Sequence, residues 1–237
     1  MSSVPVGPLP PQDAPSRAIA AMSGFLGSAD RAAARLPMVK RLVDIAISGT
    51  ALLLAAPFFL AVALLVRADG GPAFYAHPRV GRFGRVFGCL KFRSMVVDSQ
   101  ARLDALLAAD PAARAEWEAT RKLKNDPRIT RIGRFLRATS LDELPQLINV
   151  LRGEMSIVGP RPVTQAELDR YYGAAAAHYL TVRPGITGLW QVSGRSDLSW
   201  EGSVRLDAGD VDNLSLGLDA SILARTVTAV LSHRGAY

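Results

Sequence analysis

The sequence predicts an α-rich, mixed α/β protein that combines a membrane-associated helix with one small cytosolic domain. Three observations lead to this fold class: a 22-residue segment without a charge, a short basic amphipathic segment, and short periodic apolar segments separated by glycine and proline. The chain has 237 residues, whereas a typical domain has about 100–200. We therefore expect one domain with an additional extension.

The composition limits the classes of partner and of metal site. Hydrophobic residues make up 49% of the chain, and 28 Lys+Arg against 21 Asp+Glu give a net charge of +7. An apolar, basic chain favours an anionic partner, either a nucleic acid or a membrane surface. One cysteine, Cys89, and three histidines disfavour a disulfide framework and a cysteine- or histidine-rich metal site. Any metal ion is expected to be a hard cation held by carboxylates and phosphates.

The first residues differ from the rest of the chain. Five prolines lie within residues 1–15, and Ala, Ser and Gly follow, which predicts a disordered N-terminal extension over residues 1–37. No basic segment precedes an apolar one there, so a secretory signal peptide is not predicted. We divide the remainder into a membrane helix, residues 38–67, and a cytosolic domain, residues 68–237.

The uncharged segment extends from Ile45 to Val66, and a membrane helix needs about 20 apolar residues. Pro57 interrupts it and removes one backbone hydrogen bond. The resulting halves of 12 and 9 residues are each too short to cross a hydrocarbon core of about 30 Å. Basic residues flank both ends, which places both in the cytoplasm. We predict a re-entrant helix–break–helix anchor; a kinked spanning helix and a buried core helix are the alternatives.

Positive charge is concentrated beside this segment and in residues 121–137, where seven Lys/Arg accompany a single acidic residue, Asp126. Within RITRIGRFLR, arginines recur every third residue and apolar residues occupy another face. This pattern predicts an amphipathic helix that lies on anionic headgroups; a solvated charged helix is the alternative. Residues 138–237 carry 8 basic and 11 acidic side chains. The charge distribution therefore favours a membrane over a nucleic acid.

Periodicity and turn residues predict the remaining elements. Glycine and basic residues alternate with apolar ones over 79–91, which indicates short strands or a turn-rich loop. No βαβ alternation indicates a Rossmann-type sheet. The other predicted elements are helices over 99–123 with a break at Pro111, over 144–151 ending at Gly153, over 165–179 and over 219–232, and a loop over 183–195.

Asp142 and Glu143 are the best catalytic candidates. They precede Pro145, which suits the first position of a helix. Two adjacent carboxylates with Arg137 nearby are suited to a hard cation and a phosphate. The alternative is structural, because Ser140 and Glu143 have the spacing of a capping box.

Other candidates are basic. In Gly-Pro-Arg-Pro the two prolines restrict the backbone around Arg161, and a preorganised guanidinium suits phosphate. Lys91 and Arg93 are further phosphate-binding candidates, with membrane contact as the alternative. Arg183 and Arg195 flank a glycine-rich run, PGITGLWQVSGR, that lacks Walker A spacing but could hold a nucleotide.

Five stretches together resemble the bacterial sugar transferases, which are monotopic phosphoglycosyl transferases. They are KRLVDIAI…PFFLAVALLV, DGGPAFYAHPRVGRFGRVFGCLKFRSM, TSLDELPQLINVLRGEMSIVGPRPV, RPGITGLWQVSGRS and RGAY; they follow the family's order over residues 40–237. The stretches EWEATRKLKNDPRIT and DGGPAFYAH are similar to the subgroup that starts succinoglycan-type exopolysaccharides with galactose 1-phosphate. The chain looks like a compact, membrane-anchored member, although Ala56-Pro57 stands where the family usually has Ser-Pro.

The resemblance implies interfacial amphipathic helices, a small cytosolic catalytic domain and a reaction. UDP-sugar and undecaprenyl phosphate would give a lipid diphosphate sugar and UMP at the cytoplasmic face of the bacterial inner membrane. Asp142 would be the nucleophile and Glu143 would ligate Mg²⁺. Lys91, Arg137 and Arg161 would neutralise phosphate oxygens. Galactose is expected before glucose, and a homo-oligomer is possible.

Two other classes of function are considered. A non-enzymatic membrane scaffold of a polysaccharide assembly complex is the main alternative to the enzyme. A nucleic-acid binder would account for the basic composition, but the long apolar segment argues against it, and we expect no nucleic acid among the partners.

Overall fold

A computed structural model describes residues 36–120, 123–193 and 200–231. The prediction for the extension therefore lies almost entirely outside the described residues. The helices are α1 (Leu36–Arg67), α2 (Ser99–Ala109), α3 (Pro111–Thr120), α4 (Arg131–Ala138), α5 (Gln146–Arg152), α6 (Gln165–Glu167), α7 (Ala175–Tyr179), α8 (Leu189–Val192), α9 (Trp200–Asp212) and α10 (Leu216–Leu231). The strands are β1 (Phe74–Val80), β2 (Val86–Phe92), β3 (Ser156–Val158) and β4 (Gly185–Thr187). The predicted α-rich, mixed α/β class is confirmed.

Strands β1 and β2 form an antiparallel hairpin, as the alternation over 79–91 indicated. Phe74 pairs with Phe92 at the open end and Val80 with Val86 at the tip. The tip contains Phe83 at φ 60, a left-handed conformation that is uncommon for a residue with a bulky side chain. Phe92 faces α1, where its ring lies 4.8 Å from that of Phe59. The hairpin thus packs on α1 through its open end.

Strands β3 and β4 form a parallel pair, so the prediction of a loop over 183–195 is wrong in part. Gly159 N donates to Thr187 O at 2.9 Å, and Gly185 N donates to Pro160 O at 2.8 Å. A Cβ on Gly185 would lie 2.2 Å from Gly159 N. The glycines were interpreted as loop punctuation, whereas they permit close approach of two backbones.

Two predicted helix boundaries, the break at Pro111 and the end at Gly153, are confirmed. Pro111 separates α2 from α3, and Asp110 Oδ1 accepts hydrogen bonds from Ala112 N and Ala113 N. Helix α5 ends at Gly153, which adopts φ 81, the left-handed conformation expected just after a helix. Between α6 and α7 the segment Leu168–Tyr172 is a π-helix, so the predicted helix over 165–179 is divided into three.

Helix α1 is continuous and contains Pro57. The two separate helical segments predicted around the proline are not observed, because a helix can absorb the lost hydrogen bond by bending. The re-entrant path therefore stays a prediction. The helical segment Met38–Arg67 is long and apolar enough to cross a membrane, and only 11% of its most apolar stretch is buried within the protein.

One face of α1 contacts the rest of the protein along the whole helix. The buried positions recur at helical spacing from Asp44 and Ser48 to Val62 and Val66. Near the N-terminal end, Asp44 Oδ1 accepts from Ile157 N at 3.0 Å. The opposite face is apolar and exposed, including Leu42, Leu53, Leu54, Leu60, Leu64 and Leu65. An apolar face of this extent is suited to hydrocarbon.

Candidate active site

The two candidate carboxylates lie in a 3₁₀ turn, Leu141–Glu143, between α4 and α5. Ser140 starts this turn at φ 57 and makes no side-chain capping hydrogen bond. The capping-box alternative for Ser140 and Glu143 is therefore wrong. A left-handed serine costs free energy and marks a site where the backbone is held by its surroundings.

Lys91 approaches the turn from the end of β2. Its Nζ donates to Glu143 Oε1 at 2.7 Å. Burial opposes the charge on the ammonium, but the carboxylates of Glu143 and Asp142 outweigh it and raise the pKa of Lys91. Lys91 therefore stays protonated beside both carboxylates.

The carboxyl group of Asp142 is buried, with 8% of the residue exposed. Burial raises its pKa to about 6; Glu143 acts in the same direction, whereas Lys91 and Arg137 oppose the shift. Within the described ranges, no other residue donates a hydrogen bond to this carboxylate. At neutral pH Asp142 is thus an ionised and comparatively basic carboxylate. The charges of Lys91 and Arg137 act on it, and no other described residue donates a hydrogen bond to it.

Arg137 occupies the last turn of α4 and is positioned by a serine that the sequence reasoning missed. Its Nε donates to Ser94 Oγ at 2.8 Å. Helix α4 approaches residue 94 closely, because Gly133 has no side chain and a Cβ there would lie 2.0 Å from Ser94 O. The sequence signal was weak: a serine directly after the basic pair in KFRS.

Arg93 was a phosphate candidate, but its donors are used to hold the end of α1. It donates to Val66 O at 2.7 Å, to Pro72 O at 2.7 Å and to the carboxylate of Asp69. Its hydrogen bonds to Asp69 hold the pKa of that carboxyl at about 2. The segment from Lys91 to Ser94 therefore joins the C-terminal end of α1 to the carboxylate turn.

Arg161 lies in a different group of side chains. Its guanidinium stands over the rings of Trp190 and Trp200 at 5.0 and 5.7 Å, and 3.7 Å from a Glu167 oxygen. Its backbone N–H donates to Asp207 Oδ1 at 3.3 Å. The structure therefore unites Lys91, Arg137, Asp142 and Glu143, and it places Arg161 with aromatic residues.

Arg183 is placed at the C-terminal end of α5. Its Nε donates to Gly153 O at 2.7 Å, and burial together with Arg82 and Arg41 lowers its pKa. Arg195, the other nucleotide candidate, lies outside the described residues. The predicted nucleotide role of this pair stays a prediction.

The described acidic residues permit one kind of metal site, in which a single carboxylate binds the ion together with substrate phosphates. In the described part of the chain no group of three or more His, Cys, Asp and Glu could hold a metal ion. Mg²⁺ is commonly bound through one or two carboxylates together with substrate phosphates. Glu143 fits this mode, because Lys91 contacts only one of its oxygens and its side chain is 38% exposed.

The fold and the site define a protein with one helix that is long and apolar enough to cross a membrane and with a carboxylate pair near cations. The profile described as bacterial sugar transferase matches residues 35–233. The chain therefore belongs to the bacterial sugar transferase family, as the resemblance of the five stretches predicted.

Curated relatives cover the same region of the chain. An undecaprenyl-phosphate galactose phosphotransferase of Salmonella typhimurium is 54% identical over 84% of this chain and 42% of its own length. The exopolysaccharide production protein ExoY of Rhizobium meliloti is 50% identical over 84% of this chain and 88% of its own length. A UDP-glucose:undecaprenyl-phosphate glucose-1-phosphate transferase of Caulobacter vibrioides is 40% identical over 84% of this chain and 72% of its own length. The match thus spans less than half the length of some relatives.

Proposed function

We propose that the chain transfers a sugar 1-phosphate from a UDP-sugar to undecaprenyl phosphate through a covalent aspartyl intermediate. The observation that carries the proposal is the environment of Asp142: a buried carboxylate without donors from other described residues, on which the charges of Lys91 and Arg137 act. Relatives with 54% and 40% identity are named for such transfers with galactose and glucose. We favour galactose 1-phosphate first and glucose 1-phosphate second.

Asp142 is proposed as the nucleophile of the first step. A carboxylate oxygen attacks the sugar-bearing phosphorus, the bond from that phosphorus to the bridging oxygen breaks, and UMP leaves with the electron pair. The raised pKa, about 6, makes the carboxylate more basic than an ordinary aspartate while leaving it ionised at neutral pH. The resulting acyl phosphate retains enough free energy for a second transfer.

In the second step a phosphate oxygen of undecaprenyl phosphate attacks the same phosphorus. The bond from phosphorus to Asp142 breaks, which restores the carboxylate and gives the lipid diphosphate sugar. Both steps bring anions together, so fixed cations must offset the repulsion. Lys91 and Arg137 are positioned to do so, whereas Arg161 would have to act on a more distant part of the substrate.

Mg²⁺ is proposed as the cofactor, with Glu143 as its protein ligand. When bound, Mg²⁺ would supply Lewis-acid neutralisation of phosphate oxygens. Lys91 contributes independently of the metal, because its contact with Glu143 Oε1 at 2.7 Å fixes the orientation of the carboxylate. The other oxygen of Glu143 has no contact with Lys91 and stays available to the metal ion.

The packing of α1 supports a re-entrant anchor at the cytoplasmic face of the inner membrane. Asp44 near one end and Val66 near the other are both buried against the same domain. A helix with its ends on opposite sides of a bilayer would draw that domain, with its charged surface, into hydrocarbon. A bent helix lying within one leaflet avoids this cost and leaves Asp142 close to the headgroups.

A panel of nucleotide sugars tests the reaction. The full chain in vesicles with undecaprenyl phosphate and Mg²⁺ is incubated with UDP-galactose, UDP-glucose and UDP-N-acetylhexosamines, and UMP release is measured. We expect UMP with UDP-galactose and transfer of radiolabelled phosphate to Asp142 when the lipid is omitted. If no nucleotide sugar in the panel gives UMP release, the proposed reaction is wrong and the scaffold alternative is favoured. That alternative predicts that the Asp142→Asn variant still supports polymer production in cells.

A further inference from the structure

Three arginines from distant parts of the chain converge beside the N-terminal part of α1. Arg41 donates to Val150 O at 2.6 Å and to Leu151 O at 3.0 Å. Arg183 donates to Gly153 O at 2.7 Å. Arg82, at the tip of the β1–β2 hairpin, donates to Thr181 O at 2.8 Å. Arg41 and Arg183 therefore bind carbonyl groups at the C-terminal end of α5, and Arg82 lies near enough for its charge to act on Arg183.

These hydrogen bonds use only part of what the arginines offer. A guanidinium carries five N–H groups, and Arg82 and Arg183 each use only Nε for a hydrogen bond within the described part of the chain. Each of the three residues is half-buried. Their remaining donors are therefore available to a ligand from outside the chain.

Among the described residues, carboxylates balance only part of the charge of this group. Asp44 is the carboxylate that acts on Arg183, and its Oδ1 already accepts from Ile157 N. Burial, then Arg82 and then Arg41 lower the pKa of Arg183, so the neighbouring cations repel one another. An anion bound between them would relieve this repulsion and take charge-assisted hydrogen bonds.

Apolar side chains border the same place and indicate the source of the anion. Leu42, which follows Arg41 in α1, is 64% exposed, and Phe83 beside Arg82 is 43% exposed. Phe83 also lies under the Arg82 guanidinium, 4.4 Å from ring centroid to Cζ. Cations next to exposed apolar groups match a lipid, which carries a phosphate and a hydrocarbon chain.

We propose that Arg41, Arg82 and Arg183 bind the phosphate of an anionic phospholipid headgroup at the N-terminal end of the membrane helix. The acyl chains lie along the exposed face of α1. This site is separate from the carboxylate turn, where the cations acting on Asp142 are Lys91 and Arg137. It stabilises the position of the hairpin and of α5 relative to the membrane, and it does not rest on the proposed reaction.

Lipid retention by the purified full chain tests this site without any nucleotide sugar. The protein in dodecyl maltoside is titrated with phosphatidylglycerol, and bound lipid is counted by native mass spectrometry. The double variant Arg82→Gln/Arg183→Gln should weaken binding about tenfold or more, since each cation at a membrane surface contributes appreciably. Arg205→Gln/Arg225→Gln removes the same charge from two exposed positions and should retain the lipid like the unmodified chain.

Three outcomes would overturn the proposal. Equal lipid binding by the two double variants would show that net charge alone matters. Equal binding of diacylglycerol, which has no phosphate, would assign retention to the apolar face. Displacement of phosphatidylglycerol by millimolar inorganic phosphate or UDP would assign the arginines to a soluble anion. If Arg183→Gln unfolds the chain, Arg82→Gln alone should still weaken binding about threefold or more.

Discussion

Asp142 and Asp207 are two buried aspartates whose surroundings differ. Burial raises the pKa of each to about 6. The carboxylate of Asp207 accepts hydrogen bonds from the Tyr172 hydroxyl and from Arg161 N. That of Asp142 has cations nearby but no hydrogen bond from another described residue. Occupied lone pairs suit a structural role, whereas unoccupied lone pairs beside cations suit attack on an electrophile.

The largest difference between the two sites is expected in turnover. Asp142→Asn should lower UMP release about 1,000-fold or more, because the amide cannot replace the attacking oxygen. Asp207→Asn keeps an oxygen that can accept from Tyr172 and should lower turnover by less than about tenfold. Both variants are assayed in vesicles at pH 7.5 after circular dichroism confirms the fold. Near-normal turnover by Asp142→Asn would remove Asp142 as nucleophile.

Helix α4, which precedes the turn that contains Asp142, and helix α9, which contains Asp207, differ in how closely they pack. Gly133 in α4 lies against Ser94, whereas a Cβ on Gly209 in α9 would meet only Leu189 Cδ1, at 4.0 Å. Gly133→Ala should destabilise the protein by about 3 kcal/mol, because the backbone of residue 94 must move. Gly209→Ala should be neutral or stabilise by up to about 1 kcal/mol through its helix propensity. Urea unfolding in detergent compares the two; similar losses would contradict the difference in packing.

The raised pKa of Asp142 predicts a dependence of stability on pH. In the unfolded chain the group has its ordinary pKa of 3.8, whereas in the folded protein it holds its proton up to about pH 6. The folded state therefore binds more protons between these values, and stability falls as pH rises through that window. Asp142→Asn removes this loss, so it should be more stable than the unmodified protein by on the order of 2 kcal/mol at pH 8.

The control for this prediction is the same comparison at low pH. At about pH 3 Asp142, like its asparagine replacement, is mostly uncharged in both the folded and the unfolded chain, so the gain in the free energy of unfolding should disappear. A gain that is equal at both pH values would mean that the side-chain amide packs better, and that burial of the charge is not its source.

The smallest expected effect concerns the positioning of Arg137. Ser94→Ala removes the acceptor of the Arg137 Nε hydrogen bond and should lower turnover about tenfold while leaving the fold intact. Within an Arg137→Met background the same change should have no further effect, since the two residues act as a unit. Additive losses in this double-mutant cycle would show that Ser94 acts independently of Arg137.

Local signals in the sequence were sufficient for many elements and for the carboxylate pair. Pro111 and Gly153 act within one helical turn, so their effects were readable without tertiary contacts. The same reasoning failed at residues 183–195, because the glycines there serve contacts with residues 159 and 160 across the fold. It also left open a capping box at Ser140 and Glu143, which the structure does not form. The structure has that motif at Thr164 and Glu167.

The sequence by itself determined the apolar helix, the concentration of basic residues and the adjacency of Asp142 and Glu143, since each is a property of neighbouring residues. Only the tertiary structure decided which cations act on the carboxylates. Lys91 contacts Glu143 across 52 positions of the chain, and Ser94 contacts Arg137 across 43. It also showed that Arg93, Arg161 and Arg183 have contacts outside the carboxylate turn. Basic residues are alike in a sequence, but packing determines which of them meets a helix end, an aromatic ring or a buried carboxylate.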